Sequence, residues 1–345
     1  MQVRPPPALL LATLSAALLL PPAQAETAHT QPAAAASEAA AGERTVSEWL
    51  MRMHEASRKR AYVGTFVVSS GVGSMSSARI WHVCDGTQQM ERVESLTGAP
   101  RSTFRRNDQV ITFLPDSKVA VSEKRESLGL FPNLLQTGDS AIPEFYSAKL
   151  VGSERVAGFD ADMVVLRPKD GLRYGYRIWS EKKTGLVVKL QTLDADGKVL
   201  EQAAFSELQL DAPVKMEKLG QMMANTVGYR VETSAMVKTT ALSEGWVLKN
   251  VVPGFQPMSC FRRSLSGAPA GTPDGTVQWV FSDGLASVSL FVEAFEPQRH
   301  LQEGATAVGA TQSLTRRMGD WWLTAVGEVP LATLKAFAQG LERKK

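Results

Sequence analysis

The chain has 345 residues, 44% of them hydrophobic and 21% charged, with a formal net charge of +3 at pH 7. This composition is typical of a globular protein with room for two domains. It lacks the concentrated basic stripe with interleaved aromatic residues that marks nucleic-acid-binding proteins, so we expect no nucleic-acid partner.

The first 25 residues have the pattern of a cleavable secretory signal peptide. Arg4 precedes an apolar run over residues 8–20, and a small-residue cleavage sequence ends at Ala25. The run is shorter than the roughly 20 apolar residues that a spanning helix needs, so we expect cleavage rather than anchoring. Residues 26–43 are alanine-rich and poor in large apolar groups, which is typical of a disordered leader. We therefore expect an exported, soluble, extracytoplasmic mature chain beginning at Glu26.

Residues 44–211 are predicted to form one large antiparallel meander, curved or partly closed, with a helix against a face. Thr45 and Glu48 have the spacing of a capping box, which places the start of the helix at this threonine. The helix carries one apolar stripe, which consists of Val46, Trp49, Leu50 and Met53. Short apolar segments separated by turn residues follow it, as expected for consecutive strands joined by hairpins.

The stretch over residues 174–205 shows this strand pattern most clearly. Two polar clusters end in Gly185 and Gly197, and they predict tight turns because glycine accepts a positive φ without steric cost. Large apolar side chains occupy both faces of the flanking strands, since side chains alternate with a period of two. We expect this sheet to be covered on both sides, with a helix as the candidate for one side and a ligand as the candidate for the other.

The remaining chain divides into a connector and a second unit. Residues 212–241 are interpreted as a methionine-rich linker, with a short helix around Met216, Leu219, Met222 and Met223. Residues 242–341 are predicted to form a small C-terminal domain of several strands. Its last element is a helix that begins at Pro330, with cations at its C-terminal end.

Cys84 and Cys260 are the only cysteines, in a compartment where disulfides persist. They lie in different predicted domains, which favours two buried free thiols. A bridge between the domains stays open, because sequence spacing does not show whether two Cα atoms are close.

The sequence offers little support for an enzyme. The four histidines are scattered without metal-ligand spacing, at His29, His54, His82 and His300. The common hydrolase, zinc-protease and phosphate-loop motifs do not occur. We therefore expect no metal, no cofactor and no hydrolase activity, although a catalytic triad assembled from distant residues stays an alternative.

Four tracts in order resemble the MucB/RseB family of periplasmic regulators of the sigma-E envelope stress response. They are LRYGYRIWSEKKTGLVVKLQTLDADGKVLEQAAF, VVPGF, FSDGLASVSLFV and AVGEVP. The resemblance implies an α+β fold with a large N-terminal curved sheet, an unclosed lipoprotein-carrier-like barrel with helices, and a smaller α/β C-terminal domain. It also implies binding to the periplasmic part of a membrane-spanning anti-sigma factor, protection of that partner from proteolysis, and release by lipopolysaccharide or a related acyl-chain ligand.

The resemblance also suggests which residues meet these ligands. The partner-binding candidates are Arg262, Arg263, Phe281, Ser282, Asp283, Gly284 and Leu285. The candidates for lining a lipid groove are Trp81, Tyr174, Tyr176 and Trp179. Each group has a structural alternative. Residues 281–285 would form a strand end with a turn, and the arginine pair would lie on a solvated edge. At least half of the four aromatic residues would be ordinary core.

A periplasmic lipid or lipoprotein carrier is the alternative function, because such carriers share the first domain. The C-terminal unit favours the regulator, since simple carriers lack it. A homo-oligomer is a further possibility that the sequence leaves open.

Overall fold

The computed structural model describes residues 44–71, 73–124, 131, 141–233, 236–264 and 275–344. The predicted signal peptide and leader lie outside these residues. Within the described chain, no helix is both long enough and apolar enough to cross a membrane. The helices are α1 (Val46–Lys59), α2 (Ile142–Phe145), α3 (Met216–Ala224) and α4 (Leu331–Gly340).

The larger sheet has twelve strands within the described residues, in the spatial order β12-β6-β5-β4-β3-β2-β1-β11-β10-β9-β8-β7. In chain order they are β1 (Tyr62–Ser70), β2 (Met75–Cys84), β3 (Gln89–Ser95), β4 (Ser102–Arg106), β5 (Gln109–Leu114), β6 (Val119–Lys124), β7 (Tyr146–Val156), β8 (Phe159–Pro168), β9 (Gly175–Glu181), β10 (Val187–Leu193), β11 (Val199–Leu210) and β12 (Arg230–Thr233). Among the described strand pairs of this sheet, β12–β6 is parallel and the others are antiparallel. The two end strands, β12 and β7, do not pair with each other, so the sheet is open, as predicted.

The sheet curves around α1. This helix contacts both β2 and β7, which lie six places apart in the strand order, so the sheet must bend to bring them to one helix. The predicted capping box is confirmed, because the Glu48 amide donates to Thr45 Oγ1 at 3.2 Å and the Thr45 amide donates to Glu48 Oε2 at 2.7 Å. Trp49, Leu50 and Met53 are buried against the sheet, which confirms the apolar stripe.

The opposite face of the sheet is covered as well. The α3 helix contacts β3 and β4, and Leu219 and Met223 are buried there with Met90, Phe104 and Phe113. The prediction of a short helix in the connector is therefore confirmed. Both predicted hairpin glycines adopt positive φ, +89° at Gly185 and +81° at Gly197.

The connector is more ordered than a plain linker. After α3 the chain forms β12, which joins the larger sheet beside β6. The residues of β12 are almost all exposed, so no apolar alternation marks this strand in the sequence. Its strand conformation depends on pairing with a segment about a hundred residues earlier, which local patterns do not reveal.

The C-terminal domain contains a seven-stranded sheet within the described residues, in the order β13-β15-β16-β17-β20-β19-β18. Its strands are β13 (Met236–Lys238), β15 (Gln256–Ser264), β16 (Gly275–Ser282), β17 (Ser287–Ala294), β18 (Gly304–Val308), β19 (Thr311–Met318) and β20 (Trp321–Gly327). A separate pair consists of β14 (Trp246–Leu248) and β21 (Leu341–Arg343). The α4 helix packs on β19 and β20, and its Leu334 and Phe337 are fully buried.

Two features of this domain differ from the sequence prediction. The β18–β19 hairpin was not predicted, because its strands carry small and polar residues without apolar alternation. The prediction that cations end the last helix is wrong, because α4 stops at Gly340 and the chain continues as β21. Pairing with Trp246–Leu248 draws these last residues into a strand.

The two cysteines are free. Cys260 is buried, as expected. Its burial, and to a smaller degree the charge of the nearby Glu244, raises the pKa of its thiol to about 11. Cys84 is only half-buried, and its sulfur accepts a hydrogen bond from the Gly86 amide.

A buried histidine lies beneath the end of α1. The His82 side chain is fully buried and stacks on Tyr62 with ring centroids 4.9 Å apart. Its Nδ1 lies 2.7 Å from the Arg60 carbonyl oxygen, so Nδ1 carries the proton and donates. Glu91 Oε1 lies 3.7 Å from Nε2, and the same carboxylate accepts from Arg105. Burial lowers the pKa of His82, the Glu91 carboxylate opposes that shift, and the charges of Arg105 and Arg58 reinforce it.

We expect the stability of the protein to decrease as the pH falls below the ordinary histidine range. The folded chain keeps His82 neutral, whereas the unfolded chain takes up a proton near pH 6.5. The contribution of neutral His82 to stability is therefore fully present above about pH 6.5. It is lost as the pH falls towards the lowered pKa that His82 has in the folded chain. Urea unfolding at several pH values should show this loss in the wild type and in the control His54→Gln. His82→Phe should lack it, and an unchanged pH profile in that variant would contradict the assignment.

Candidate functional site

The candidate site is the junction between the two sheets, and Arg173 lies at its centre. This arginine precedes β9, and its side chain is fully buried. Its Nε donates to Asp283 Oδ2 at 2.7 Å, across a sequence separation of 110 residues. The guanidinium also donates to the Asp170 carboxylate and to the Pro253 carbonyl oxygen. One cation therefore connects the first domain to two segments of the second.

Two aromatic rings contact the guanidinium. Its central carbon lies 4.2 Å from the ring centroid of Phe145 and 5.0 Å from that of Phe255. Phe145 belongs to α2 of the first domain, whereas Phe255 lies in the core of the second. Gly254 adopts a φ of +81°, and a Cβ there would lie 2.5 Å from Phe145 Cε2. A glycine is therefore required for the second domain to approach this closely.

The Asp283 carboxylate has two structural functions. Its Oδ1 accepts hydrogen bonds from the amides of Leu285 at 3.0 Å and Ala286 at 2.8 Å, which shape the turn between β16 and β17. Its Oδ2 is then left to accept from Arg173. Gly284 adopts a φ of +99°, which completes the turn. The same residue thus forms the turn and joins the domains.

Further contacts extend the junction on either side of Arg173. The side-chain Nε2 of Gln312 donates to the Tyr174 hydroxyl at 3.2 Å, and Thr333 Oγ1 donates to the Leu172 carbonyl oxygen at 2.6 Å. Leu285 of the second domain packs in the apolar core of the first, and Leu172 of the first packs against the core of the second. Exchanged apolar side chains and hydrogen bonds hold the two domains in one arrangement.

The predicted partner-binding residues fall into two places. Five residues of the turn lie together and are buried, namely Phe281, Ser282, Asp283, Gly284 and Leu285. Arg262 is exposed and forms an ion pair with Glu244. In the β15–β16 register Arg262 lies opposite Val277, four residues from Phe281, which is about 13 Å along the strand. Strand β15 is paired on both sides, so the arginine pair does not lie on a free edge.

The predicted groove aromatics lie in separate environments. Tyr176 is buried beside Tyr146 in the core that faces α1. Trp179 is buried under Lys189, whose Nζ lies 4.1 Å from the ring centroid, and its Nε1 donates to Glu154 at 2.8 Å. Tyr174 lies at the domain junction. Trp81 is half-buried in the cluster beneath α3, with Arg92 over its ring at 4.6 Å.

Sequence reasoning did not single out Arg173. The sequence does contain a signal for a buried, paired arginine at this position. Arg173 is a single cation between Leu172 and Tyr174, and it lies three positions after Asp170. The tracts that carry the family resemblance also meet here, since Arg173, Phe255 and Asp283 each belong to a different one. The junction therefore brings together residues of three of the four tracts that carry the resemblance.

Comparison with known proteins covers both domains. Residues 45–223 match the MucB/RseB N-terminal domain, and residues 240–342 match the MucB/RseB C-terminal domain. The sigma factor AlgU regulatory protein MucB of Pseudomonas aeruginosa is 30% identical over 298 residues, which cover 85% of this chain and 89% of the relative. The sigma-E factor regulatory protein RseB of Escherichia coli K12 is 24% identical over 301 residues, with coverages of 85% and 89%.

Two solved structures have the same fold over nearly all of their length. The crystal structure of MucB in complex with MucA(peri) matches with a TM-score of 0.63 at 28% identity, and covers 87% of this chain and 99% of the solved one. The MucA/MucB complex structure of Pseudomonas aeruginosa matches with a TM-score of 0.65 at 27% identity, with coverages of 87% and 99%.

Proposed function

The chain belongs to the MucB/RseB family, and from this premise we propose that it regulates a sigma factor by binding the periplasmic segment of a membrane-spanning anti-sigma factor. The observation that carries the proposal is the match, over both domains, to MucB solved in complex with MucA(peri). The bound chain shields the anti-sigma segment from proteolysis in the periplasm, where the predicted signal peptide directs it.

The domain junction supports binding by two domains together. Arg173, its two carboxylates and the surrounding rings hold both domains in one orientation before any partner arrives. A partner that touches both domains then loses less conformational freedom on binding, which increases affinity. Asp283 contributes by joining the domains through Arg173, and Phe281 contributes by packing the core of the second domain. Arg262 is exposed and offers charge complementarity directly.

Release by a lipid is the second part of the proposal. The core between α1 and the curved sheet contains large apolar side chains, among them Phe66, Tyr176 and Phe205. We propose that acyl chains of lipopolysaccharide or a related lipid enter this side of the first domain, where each buried CH₂ contributes about 0.8 kcal/mol. Tyr176 lies two positions after Tyr174 and three after Arg173 in the chain. A change in the packing of Tyr176 would therefore be transmitted to the junction.

Charge removal at Arg262 tests the partner-binding proposal. We expect Arg262→Gln to weaken binding of a purified periplasmic anti-sigma segment about tenfold, or about 1.4 kcal/mol, in a calorimetric titration. The matched control is Arg155→Gln, an exposed arginine of the first domain, which should bind like the wild type. The same segment, incubated with a protease, should survive longer with the wild type than alone. If the wild-type chain fails to bind the segment, the proposed function is wrong.

A further inference from the structure

The turn between β18 and β19 docks on the first domain beside a glutamate. Glu201 belongs to β11, and its side chain is half-buried. The Ala310 amide lies 3.5 Å from Glu201 Oε2, to which it donates a long hydrogen bond. Gly309 has a φ of +60°, and a Cβ there would overlap the same oxygen. The absence of a side chain at Gly309 therefore allows the second domain to reach this carboxylate.

A second glutamate approaches the same place from the second domain. Gln312 of β19 pairs with Gly327 of β20, and its side chain donates to the Tyr174 hydroxyl of the first domain. Glu328 directly follows Gly327 in the chain. Glu328 therefore lies next to the point where these two strands meet the first domain, and its side chain still reaches solvent.

The charge of each glutamate is felt on the other side of the junction. The strand register places Tyr176, Thr192 and Glu201 opposite one another on β9, β10 and β11, so their side chains share one face. Burial, followed by the charges of Asp283 and Glu328, raises the pKa of Tyr176. Partial loss of solvent, followed by the charge of Glu201, raises the pKa of the Glu328 carboxyl. Both effects require Glu328 to lie close to this row of side chains.

The two carboxylates lack a balancing cation. Within the part of the chain that the structure describes, neither Glu201 nor Glu328 forms an ion pair, whereas Asp283 is paired with Arg173. Burial raises the pKa of Glu201, and the Ala310 amide opposes that shift. The other ionisable groups that act on this part of the junction are Tyr174, Tyr176, Asp194 and Asp283. The tyrosines stay neutral because burial raises their pKa, so no positive charge separates the two carboxylates.

We propose that Glu201 and Glu328 form an acid-strengthened contact between the two domains, which repels at neutral pH and becomes favourable when one of the carboxylates takes up a proton. Two like charges at one site disfavour the charged form, and protonation of either carboxyl removes their repulsion. The contact is a property of the chain alone, so it goes beyond anti-sigma binding and does not depend on it.

The direction of the pH effect follows from the raised carboxyl pKa values. The docked domains bind a proton more tightly than separated domains do, because docking raises the pKa of both carboxyls. Docking is therefore weakest at a pH above the raised pKa values. It strengthens as the pH falls through them towards the ordinary glutamate pKa of about 4.3. This direction is opposite to that expected for His82, so the two effects can be separated.

Neutralising one carboxylate tests the contact. Glu201→Gln removes the charge and keeps an oxygen that can accept from the Ala310 amide. We expect this variant to melt about 2–4 °C above the wild type at about pH 7.5, and the gain should shrink as the pH falls to about 5. The matched control is Glu207→Gln, an exposed glutamate of the same strand, which should melt like the wild type at each pH. Comparison with the wild type at the same pH cancels the contribution of His82. No gain at neutral pH, or a gain that does not change with pH, would overturn the proposal.

Two further measurements show whether the carboxylates act on each other. Glu328→Gln removes the same repulsion from the second domain, so at neutral pH the double variant should gain less than the sum of the two single variants. Additive gains would refute a paired contact. Carboxyl titration by NMR with isotope-labelled glutamate gives the second measurement. Glu201→Gln should lower the titration midpoint of Glu328, and Glu207→Gln should leave it unchanged. An unchanged midpoint in Glu201→Gln would contradict the proposal as well.

Discussion

Replacement of Arg173 with methionine is expected to lower the free energy of unfolding by about 3–5 kcal/mol. The substitution leaves the buried Asp283 carboxylate without its cation and the Pro253 carbonyl oxygen without its donor. An uncompensated buried charge is costly, because the interior does not replace the hydration that the charge loses. Urea unfolding followed by tryptophan fluorescence measures the loss.

Two further variants show whether the unpaired charge is the cause. Arg173→Met combined with Asp283→Asn removes the charge and keeps an oxygen for the amides of Leu285 and Ala286, so it should recover at least part of the stability. Arg155→Met changes an exposed arginine and should cost no more than about 0.5 kcal/mol. If the single Arg173 variant were as stable as the Arg155 variant, the junction would not depend on this ion pair.

Replacement of Phe281 with alanine is expected to destabilise the protein by about 3–5 kcal/mol. The side chain is 1% exposed, and its ring centroid lies 4.6 Å from that of Trp279 and 4.9 Å from that of Phe337. Truncation would leave a cavity between β16 and α4 that these rings fill only in part. Phe281→Leu keeps most of the volume and should cost less than about 1.5 kcal/mol, measured by the same unfolding experiment.

The Phe281 variants also distinguish two roles for the buried turn. If Phe281 shapes the second domain, Phe281→Leu should keep the affinity for the anti-sigma segment within about twofold of the wild type. A tenfold loss of affinity in a stable Phe281→Leu variant would instead make this ring a direct contact. The stability and the affinity of Phe281→Leu together show whether this ring packs the domain or contacts the partner.

The junction fixes how the domains are presented to a partner, and its centre lies next to the apolar core that we propose takes up lipid. A lipid that repacked this core would have differential affinity for two arrangements of the domains, which is the condition for allosteric release.

Elements with local signals were predicted correctly from the sequence. The capping box of α1 joins residues three positions apart, and each hairpin turn depends on one glycine. The apolar stripes of α1 and α3 repeat within a few residues. Such patterns express interactions between near neighbours, so the order of residues alone is enough to recognise them.

Long-range contacts decided the rest. Strand β12 exists because β6 lies beside it, and the last residues leave α4 because β14 offers them a partner. The turn residues Phe281 and Asp283 have the pattern of a surface motif, yet Phe281 packs in the core of the second domain and the Asp283 carboxylate accepts from Arg173 of the first. Arg173 and Asp283 are 110 residues apart, and nothing near either residue announces the other. Their pairing depends on the contact between the two sheets, which buries both charges. A buried charge is tolerated only when an opposite charge and well-directed hydrogen bonds compensate for its lost hydration.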